Sequence, residues 1–350
     1  MPFWMGELFC GPGGLAWGAI NADIGSEELK IQHRWASDFD KDTCETYRNN
    51  ICPNSRDTVY QEDIKTLDIE KLEPIDVLVF GFPCNDFSQV GKQKGLEGQF
   101  GGLYAYAVKA LKHFKPKWFV AENVPGLISM KRGAVFKKIM RELEEAGYSL
   151  TPHLFKFEDY GIPQSRHRLI VVGIRKDIDV KYLIPSCEPF ENIDNSCKFA
   201  LENPPIPSNA CNHEIPKHSS LVEERLKHIS PGKNVFSEDL PLRLQLKVKG
   251  ARFSLTYRKL DPKNPSYTII GSGGGGSHVY HWAEPRALTN RERARLQTFP
   301  DDFVFVGNRT SVRKQIGMAV PCQGAKIIFE TILKCFAGIK YPSIPPSLSL

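Results

Sequence analysis

The sequence predicts an α/β fold, a doubly wound and mostly parallel sheet joined to a smaller, irregular second domain. Three observations carry that expectation. Strand-like and helix-like segments alternate through the first half of the chain, the pattern of successive βαβ units. The apolar runs IDVLVFGF (75–82) and RLIVVGI (168–174) are continuous, as expected of strands covered on both faces. From about residue 175 to about 285 the periodicity gives way to a stretch rich in Pro, Asn, Ser and His.

In chain order, ELFCGPGGLAWG (7–18) reads as a strand end running into a glycine turn and then a helix. Further strands are expected at IQHRWAS (31–37), just before Asp63, at 75–82, at KWFVAEN (117–123) and at 168–174. Helices are expected between them, around 40–49, 102–113 and 133–146. Beyond the break, ENPPIPSNACNHEIPKH (202–218) reads as loop and GSGGGGS (271–277) as a flexible stretch without side chains to pack. Helical spacing returns in LTNRERARLQTF (288–299) and AKIIFETILKCF (325–336). The tail, 341–350, is expected to be disordered. The domain expectation is therefore residues 1–174 plus 286–340 for the first domain and 175–285 for the second.

The 350 residues are 41% hydrophobic and 25% charged, an ordinary globular composition. No apolar run reads as long enough to span a membrane, and the start does not resemble a secretory leader. Nine scattered cysteines argue against a disulfide framework and for a reducing, intracellular compartment. A net charge of +6 permits a polyanionic partner without demanding one. Cys187, Cys197, Cys211, His213 and His218 match no common zinc spacing, so no metal is expected.

Candidate chemistry lies at strand ends, where ligands of open α/β sheets sit. Gly11, Gly13 and Gly14 let backbone approach a ligand, although a plain tight turn has the same pattern and neither the dinucleotide nor the P-loop spacing is present. Asp38 can accept both hydroxyls of a ribose, Phe39 can stack on an adenine, and Asp63 can bind an exocyclic amine. Singly, each acid reads equally as a solvated loop residue. With the glycine turn, they stand at three successive strand ends and describe an adenosine site without a pyrophosphate requirement, which S-adenosyl-L-methionine fits. Cys84, behind the rigid Pro83, has the character of a nucleophile. The glycine-punctuated segment after it holds Ser88, Lys92 and Lys94 and can close as a lid. Glu122 can hydrogen-bond or protonate a ring nitrogen, and Arg166 and Arg168, two apart at a strand start, are expected to face the same way.

In these residues and their order, the chain resembles the C5-cytosine DNA methyltransferases. The glycine turn with Phe9, then Asp38, Asp63, GFPC, AENV, QSRHR, a variable region, RALTNRERARLQTFPDDF (286–303) and QIGMAVP (315–321) stand in the family's order, over roughly 5–174 and 266–336. The resemblance implies the class I S-adenosylmethionine-dependent methyltransferase fold, with 175–285 as target recognition domain. It implies that Cys84 attacks C6 of a cytosine flipped out of double-stranded DNA, Glu122 contacts N3 and the amine, Arg168 reaches O2 and Arg166 a phosphate. S-adenosyl-L-methionine then methylates C5, leaving S-adenosyl-L-homocysteine. Phe9, Asp38, Phe39, Asp63, Ile64, Pro83, Leu103, Met318 and Ala319 match cofactor positions. Thr268, Gly273 and Gly274 resemble the start of a recognition loop, with Arg252, Tyr257, Arg258 and Lys259 as candidates for another. Asn85 stands where Gln is usual. Met318 stands where Asn is common, and a methionine cannot donate that residue's hydrogen bonds.

Lack of appended regulatory regions fits the modification half of a restriction system acting as a monomer in the cytoplasm or nucleoid. Two competitors remain. A tRNA-methylating branch usually carries Cys-Phe-Thr after the nucleophile, which is missing here. A catalytically dead binding module has no use for an intact Cys84, Glu122, Arg166 and Arg168.

Overall fold

A computed structural model describes residues 2–82, 102–246, 253–273 and 276–348. Along the chain run β1 (Phe3–Leu8), α1 (Gly14–Ile20), β2 (Ile31–Asp38), α2 (Lys41–Asn50), β3 (Val59–Gln61), β4 (Val77–Gly81), α3 (Tyr104–Phe114) and β5 (Trp118–Asn123). Then come α4 (Gly126–Ser129), α5 (Ala134–Glu145), β6 (Tyr148–Lys156), β7 (Gln164–Ser165), β8 (His167–Arg175), β9 (Ile184–Pro185), α6 (Cys197–Glu202) and α7 (Ser220–Lys227). The remainder is β10 (Ser266–Tyr267), α8 (Asn290–Leu296), α9 (Arg309–Met318), α10 (Cys322–Ala337) and β11 (Ser343–Ile344).

Seven strands form one sheet in the order β3-β2-β1-β4-β5-β8-β6. The first five are mutually parallel; β8 runs antiparallel to β5, and β6 antiparallel to β8. The expected strands at 31–37, 75–82, 117–123 and 168–174 are all present. β6 was not foreseen: Tyr148–Lys156 mixes polar with apolar residues and carries Pro152 and His153. The winding reverses between β1 and β4, so the carboxyl ends of those two strands flank the crevice where such sheets bind ligands. Leu8, Leu78, Phe80, Phe119, Ala107, Leu111, Ile139 and Leu143 are among the buried residues that join sheet and helices into one core. Gly18 lets α1 lie close to α10: a Cβ there would stand 2.5 Å from that of Ala325.

The chain divides into two compact units, Met1–Phe157 with His167–Pro189 and Cys322–Leu350, and Glu158–Arg166 with Phe190–Pro321. These boundaries differ from the expected 174 and 285: α8 and α9 belong to the second unit, α10 to the first. The second unit is mostly irregular, with α6, α7, α8, α9 and the short β7–β10 pair. Its core gathers Leu226, Ile229, Leu240, Leu244, Tyr257 and Tyr280.

Two expectations need correction. The tail is ordered through residue 348: β11 pairs with β9, the Tyr341 hydroxyl donates to the Leu183 carbonyl, and Ser347 N–H donates to His153 Nδ1. A chain terminus is ordered when its backbone is tied down, as here by Ser347, which bonds His153 and Leu154 of β6. In addition, Arg309–Ala337 is long and apolar enough to cross a membrane by length and composition, and 72% of its apolar window is buried inside the protein. The stretch is interrupted where Ala319 turns extended ahead of Pro321, and its apolar side chains serve the core.

Candidate active site

The glycine turn follows β1 directly. Phe9 and Gly11 adopt φ of 55° and 56°, and Gly13, at φ 96°, caps α1. Gly11 N–H donates to one oxygen of Asp38 at 3.1 Å, and Asp40 N–H to the other at 3.0 Å. Asp38 thus ties the turn to the end of β2, and each of its oxygens keeps a further lone pair for a ligand. Burial raises the pKa of this carboxyl above its usual value, against the lowering by its amide donors. Beside it the Phe39 ring is 64% exposed, a large apolar face offered at a strand end. Asp63 is exposed just past β3, with Lys65 N–H on its carboxylate, whereas Ile64 and Leu103 are side chains of the core. Gly14 is buried as the first residue of α1.

Glu122 lies within β5, not past its end as expected, and pairs in register with Gly81 of β4. Arg168, the second residue of β8, donates from Nε to Glu122 Oε1 at 2.7 Å, and both side chains are about one-eighth exposed (13% and 14%). A guanidinium beside a carboxylate at that distance forms a strong, directional pair. Glycine at 81 makes room for it: a Cβ would come within 3.1 Å of Glu122 Oε2. Next in β5, buried Asn123 donates to the Phe82 carbonyl at 3.3 Å and accepts from Val124 N–H at 2.9 Å. It therefore pins the exit of β4 to that of β5. Pro83, Cys84, Ser88, Lys92, Lys94, Arg252 and Gly274 lie outside the described residues.

Within the second unit, Arg166 is completely buried at the break between β7 and β8. Its guanidinium donates to the carbonyls of Ile269 and Gly317, each at 3.1 Å, and of Met318 at 3.5 Å. The strand period expected to align it with Arg168 does not run through it, and a group spent on three carbonyls is not placed to meet a phosphate. Met318 ends α9 with its side chain half exposed, and Ala319 is buried. Thr268 donates its hydroxyl to the Ser165 carbonyl. Tyr257 and Lys259, expected at a recognition loop, are buried; Tyr257 stacks on Tyr280 and takes the Arg225 guanidinium on its face at 4.9 Å. Arg258 covers the Tyr267 ring at 4.9 Å. The glycine run is more restrained than expected where it is described: Arg313 donates to the Gly271 and Gly273 carbonyls at 3.4 and 3.3 Å.

Several structural residues escaped the sequence reading. Gln164 donates to Gln297 and accepts from Ile269 N–H, and Gln297 donates to the Ile316 and Ala319 carbonyls. Arg291, fully buried, donates to the carbonyls of Cys211, Pro300 and Phe303. Arg286 forms a two-pronged pair with Glu292, itself the partner of Thr289 in a capping box. Only this last had a local signal, Thr289 and Glu292 standing three apart before an apolar residue. Among the described residues no group of three His, Cys, Asp or Glu side chains suits a metal. His213 bonds Thr289, and His218 accepts from Ala287 N–H.

A mostly parallel sheet with a glycine turn, an acid closing β2 and a carboxylate–guanidinium pair on β5 and β8 defines a methyltransferase-type α/β enzyme. Residues 3–334 match the family model for C-5 cytosine-specific DNA methylases, and the chain belongs to that family. It is 54% identical to the type II methyltransferase M.BbvI of Brevibacillus brevis, over 98% of this chain and 94% of the relative. It is 40% identical to the type II methyltransferase M.NgoFVII of Neisseria gonorrhoeae, over 95% and 86%. In fold it is similar to a prophage-encoded DNA modification methyltransferase of E. coli, with a TM-score of 0.72 and 24% identity over 96% and 99% of the two chains.

Proposed function

We propose that this DNA cytosine-5 methyltransferase takes a target cytosine out of duplex DNA, methylates C5 and so protects DNA within a restriction–modification system. Flipping is required because C5 and C6 cannot be reached within the base stack. Cys84 follows Phe82 by two residues, and Phe82 is the carbonyl that Asn123 holds at the exit of β4. Its thiolate adds to C6, while Glu122 holds N3 and the exocyclic amine so that the ring accepts the electron pair. Arg168 keeps the Glu122 carboxyl in place and is suited to the base O2. S-adenosyl-L-methionine supplies the methyl group to C5 and leaves as S-adenosyl-L-homocysteine. Loss of the C5 proton to a base then restores the C5–C6 double bond and expels the thiolate. The reaction so written needs no metal.

The Glu122–Arg168 pair beside Gly81 is the observation that carries this reading. The adenosine end of the cofactor suits Asp38, whose oxygens retain lone pairs, and the exposed Phe39 ring. Target recognition falls to residues 175–285, and the names of M.BbvI and M.NgoFVII as type II methyltransferases support the restriction–modification setting. Expression in a host without cytosine methylation, followed by bisulfite sequencing, tests it. One sequence context should become resistant to conversion, and Cys84→Ser should abolish that resistance. Unchanged conversion with the wild-type enzyme, or retained methylation in the variant, would overturn the proposal.

A further inference from the structure

Behind the glycine turn lies a buried polar chain that the reaction does not use. Glu7, 2% exposed, sits in β1 between Ala36 of β2 and Val79 of β4, two apolar neighbours. Its Oε2 is 3.0 Å from the hydroxyl of Tyr47 on α2. That hydroxyl is 3.3 Å from His33 Nδ1, and His33 Nε2 is 2.7 Å from Thr58 Oγ1. Thr58 Oγ1 is in turn 2.6 Å from the Ser55 carbonyl. The Tyr47 ring also underlies the turn: a Cβ on Gly13 would meet Tyr47 Cδ2 at 3.1 Å.

The hydrogens of this chain can be assigned by elimination. The Ser55 carbonyl only accepts, so Thr58 donates to it. Thr58 Oγ1 then accepts from His33 Nε2, which leaves a neutral His33 with a bare Nδ1. An ionised Glu7 would take the Tyr47 hydrogen at 3.0 Å; with Glu7 neutral, Tyr47 gives its one hydrogen to Nδ1 at 3.3 Å and Glu7 donates to the Tyr47 hydroxyl. The alternative with the same proton count places a carboxylate on Glu7 and an imidazolium on His33, two charges in a site that disfavours both.

We propose that Glu7 is a positioning residue for the cofactor turn: as the neutral acid it donates into a one-way chain through Tyr47, His33 and Thr58 that fixes the Tyr47 ring beneath Gly13. This rests on the reading of the glycine turn as the S-adenosyl-L-methionine site. Burial supports it by pushing Glu7 up to about 8 and His33 down to about 4. The Tyr47 hydroxyl pulls Glu7 the other way, by less than burial raises it. Asp38 raises Glu7 further. The thiols of Cys10, Cys44 and Cys52 are themselves pushed up by burial.

Two measurements test the inference. In ¹⁵N spectra of histidine-labelled protein, with His33 assigned by its loss in His33→Gln, the ring should be the neutral Nε2–H tautomer at pH 6.5. An imidazolium or the Nδ1–H tautomer would overturn the chain. Calorimetry with S-adenosyl-L-homocysteine from pH 6.5 to 9.5 reads the positioning. Wild-type affinity should weaken roughly ten-fold as Glu7 ionises. Glu7→Gln, whose amide still donates to Tyr47, should bind like wild type at pH 6.5 and lose that dependence, whereas Glu7→Ala should bind more weakly throughout. Parallel pH profiles for wild type and Glu7→Gln would overturn the inference. Absence of any binding by folded wild type, with the expected His33 spectrum, would instead remove the cofactor reading on which it rests.

Discussion

The site carboxylates of the first unit and the buried arginines of the second serve different ends. In the first, regular strands satisfy the backbone, so carboxylates at strand ends remain available: Asp38 takes two local amides and keeps lone pairs, and Glu122 meets one guanidinium. In the second, irregular backbone leaves carbonyls without ladder partners, and buried ones must find donors. Arginines supply them. Arg166, Arg225, Arg291 and Arg313 all donate to main-chain carbonyls, and Arg286 is committed to carboxylates. An arginine in a DNA-modifying enzyme is thus as readily a staple for a loop as a hand on the DNA, and burial tells which.

That difference can be broken or sharpened by mutation. The largest effect is expected from Arg291→Ala, which leaves the buried Phe303 carbonyl and the partly buried carbonyls of Cys211 and Pro300 without their donor and should cost on the order of 3 kcal/mol, read as a lowered denaturation midpoint. A midpoint within experimental error of wild type would show that water replaces the guanidinium at no cost. In the first unit, Glu7 gives stability a pH dependence of definite sign. Its folded pKa, about 8, lies above the usual 4.5, so its contribution is complete below pH 4.5 and is lost as pH rises through 8. The change amounts to a few kcal/mol. Thermal melts should show that slope in wild type and not in Glu7→Gln. Smaller still, Gly81→Ala should lower kcat about ten-fold, a loss near 1.4 kcal/mol, with little change in melting, because the new methyl displaces Glu122 by tenths of an ångström. At the bottom of the scale, Tyr257→Phe should leave DNA affinity and its salt dependence unaltered, since that ring is buried against Tyr280. A weakened affinity would return Tyr257 to the recognition surface.

The same contrast explains what the sequence made legible. Continuous apolar runs revealed β4 and β8, and the order of acids at strand ends marked the turn, Asp38 and Glu122. Those signals are local. The roles of Arg166, Arg291, Gln164 and Gln297 depend on partners far along the chain, as with Arg166 and Ile269, 103 apart, and Arg291 and Cys211, 80 apart. No spacing rule reports such partners. Arg166 and Arg168 show the limit most sharply: two residues apart in QSRHR, one falls at a strand break and binds carbonyls, the other lies in β8 and binds Glu122. The tail misled for a related reason, since its order depends on the edge strands it covers.

The central claim is covalent attack by Cys84 on a base held by Glu122. Fluorine at C5 cannot leave as the proton does, so a duplex carrying 5-fluorocytosine at the target should hold the enzyme after methyl transfer. Denaturing electrophoresis with S-adenosyl-L-methionine present should show a protein–DNA adduct for wild type, with peptide mapping to Cys84, and none for Cys84→Ser. Full methylation of normal substrate without any adduct, or an adduct persisting in Cys84→Ser, would contradict the account.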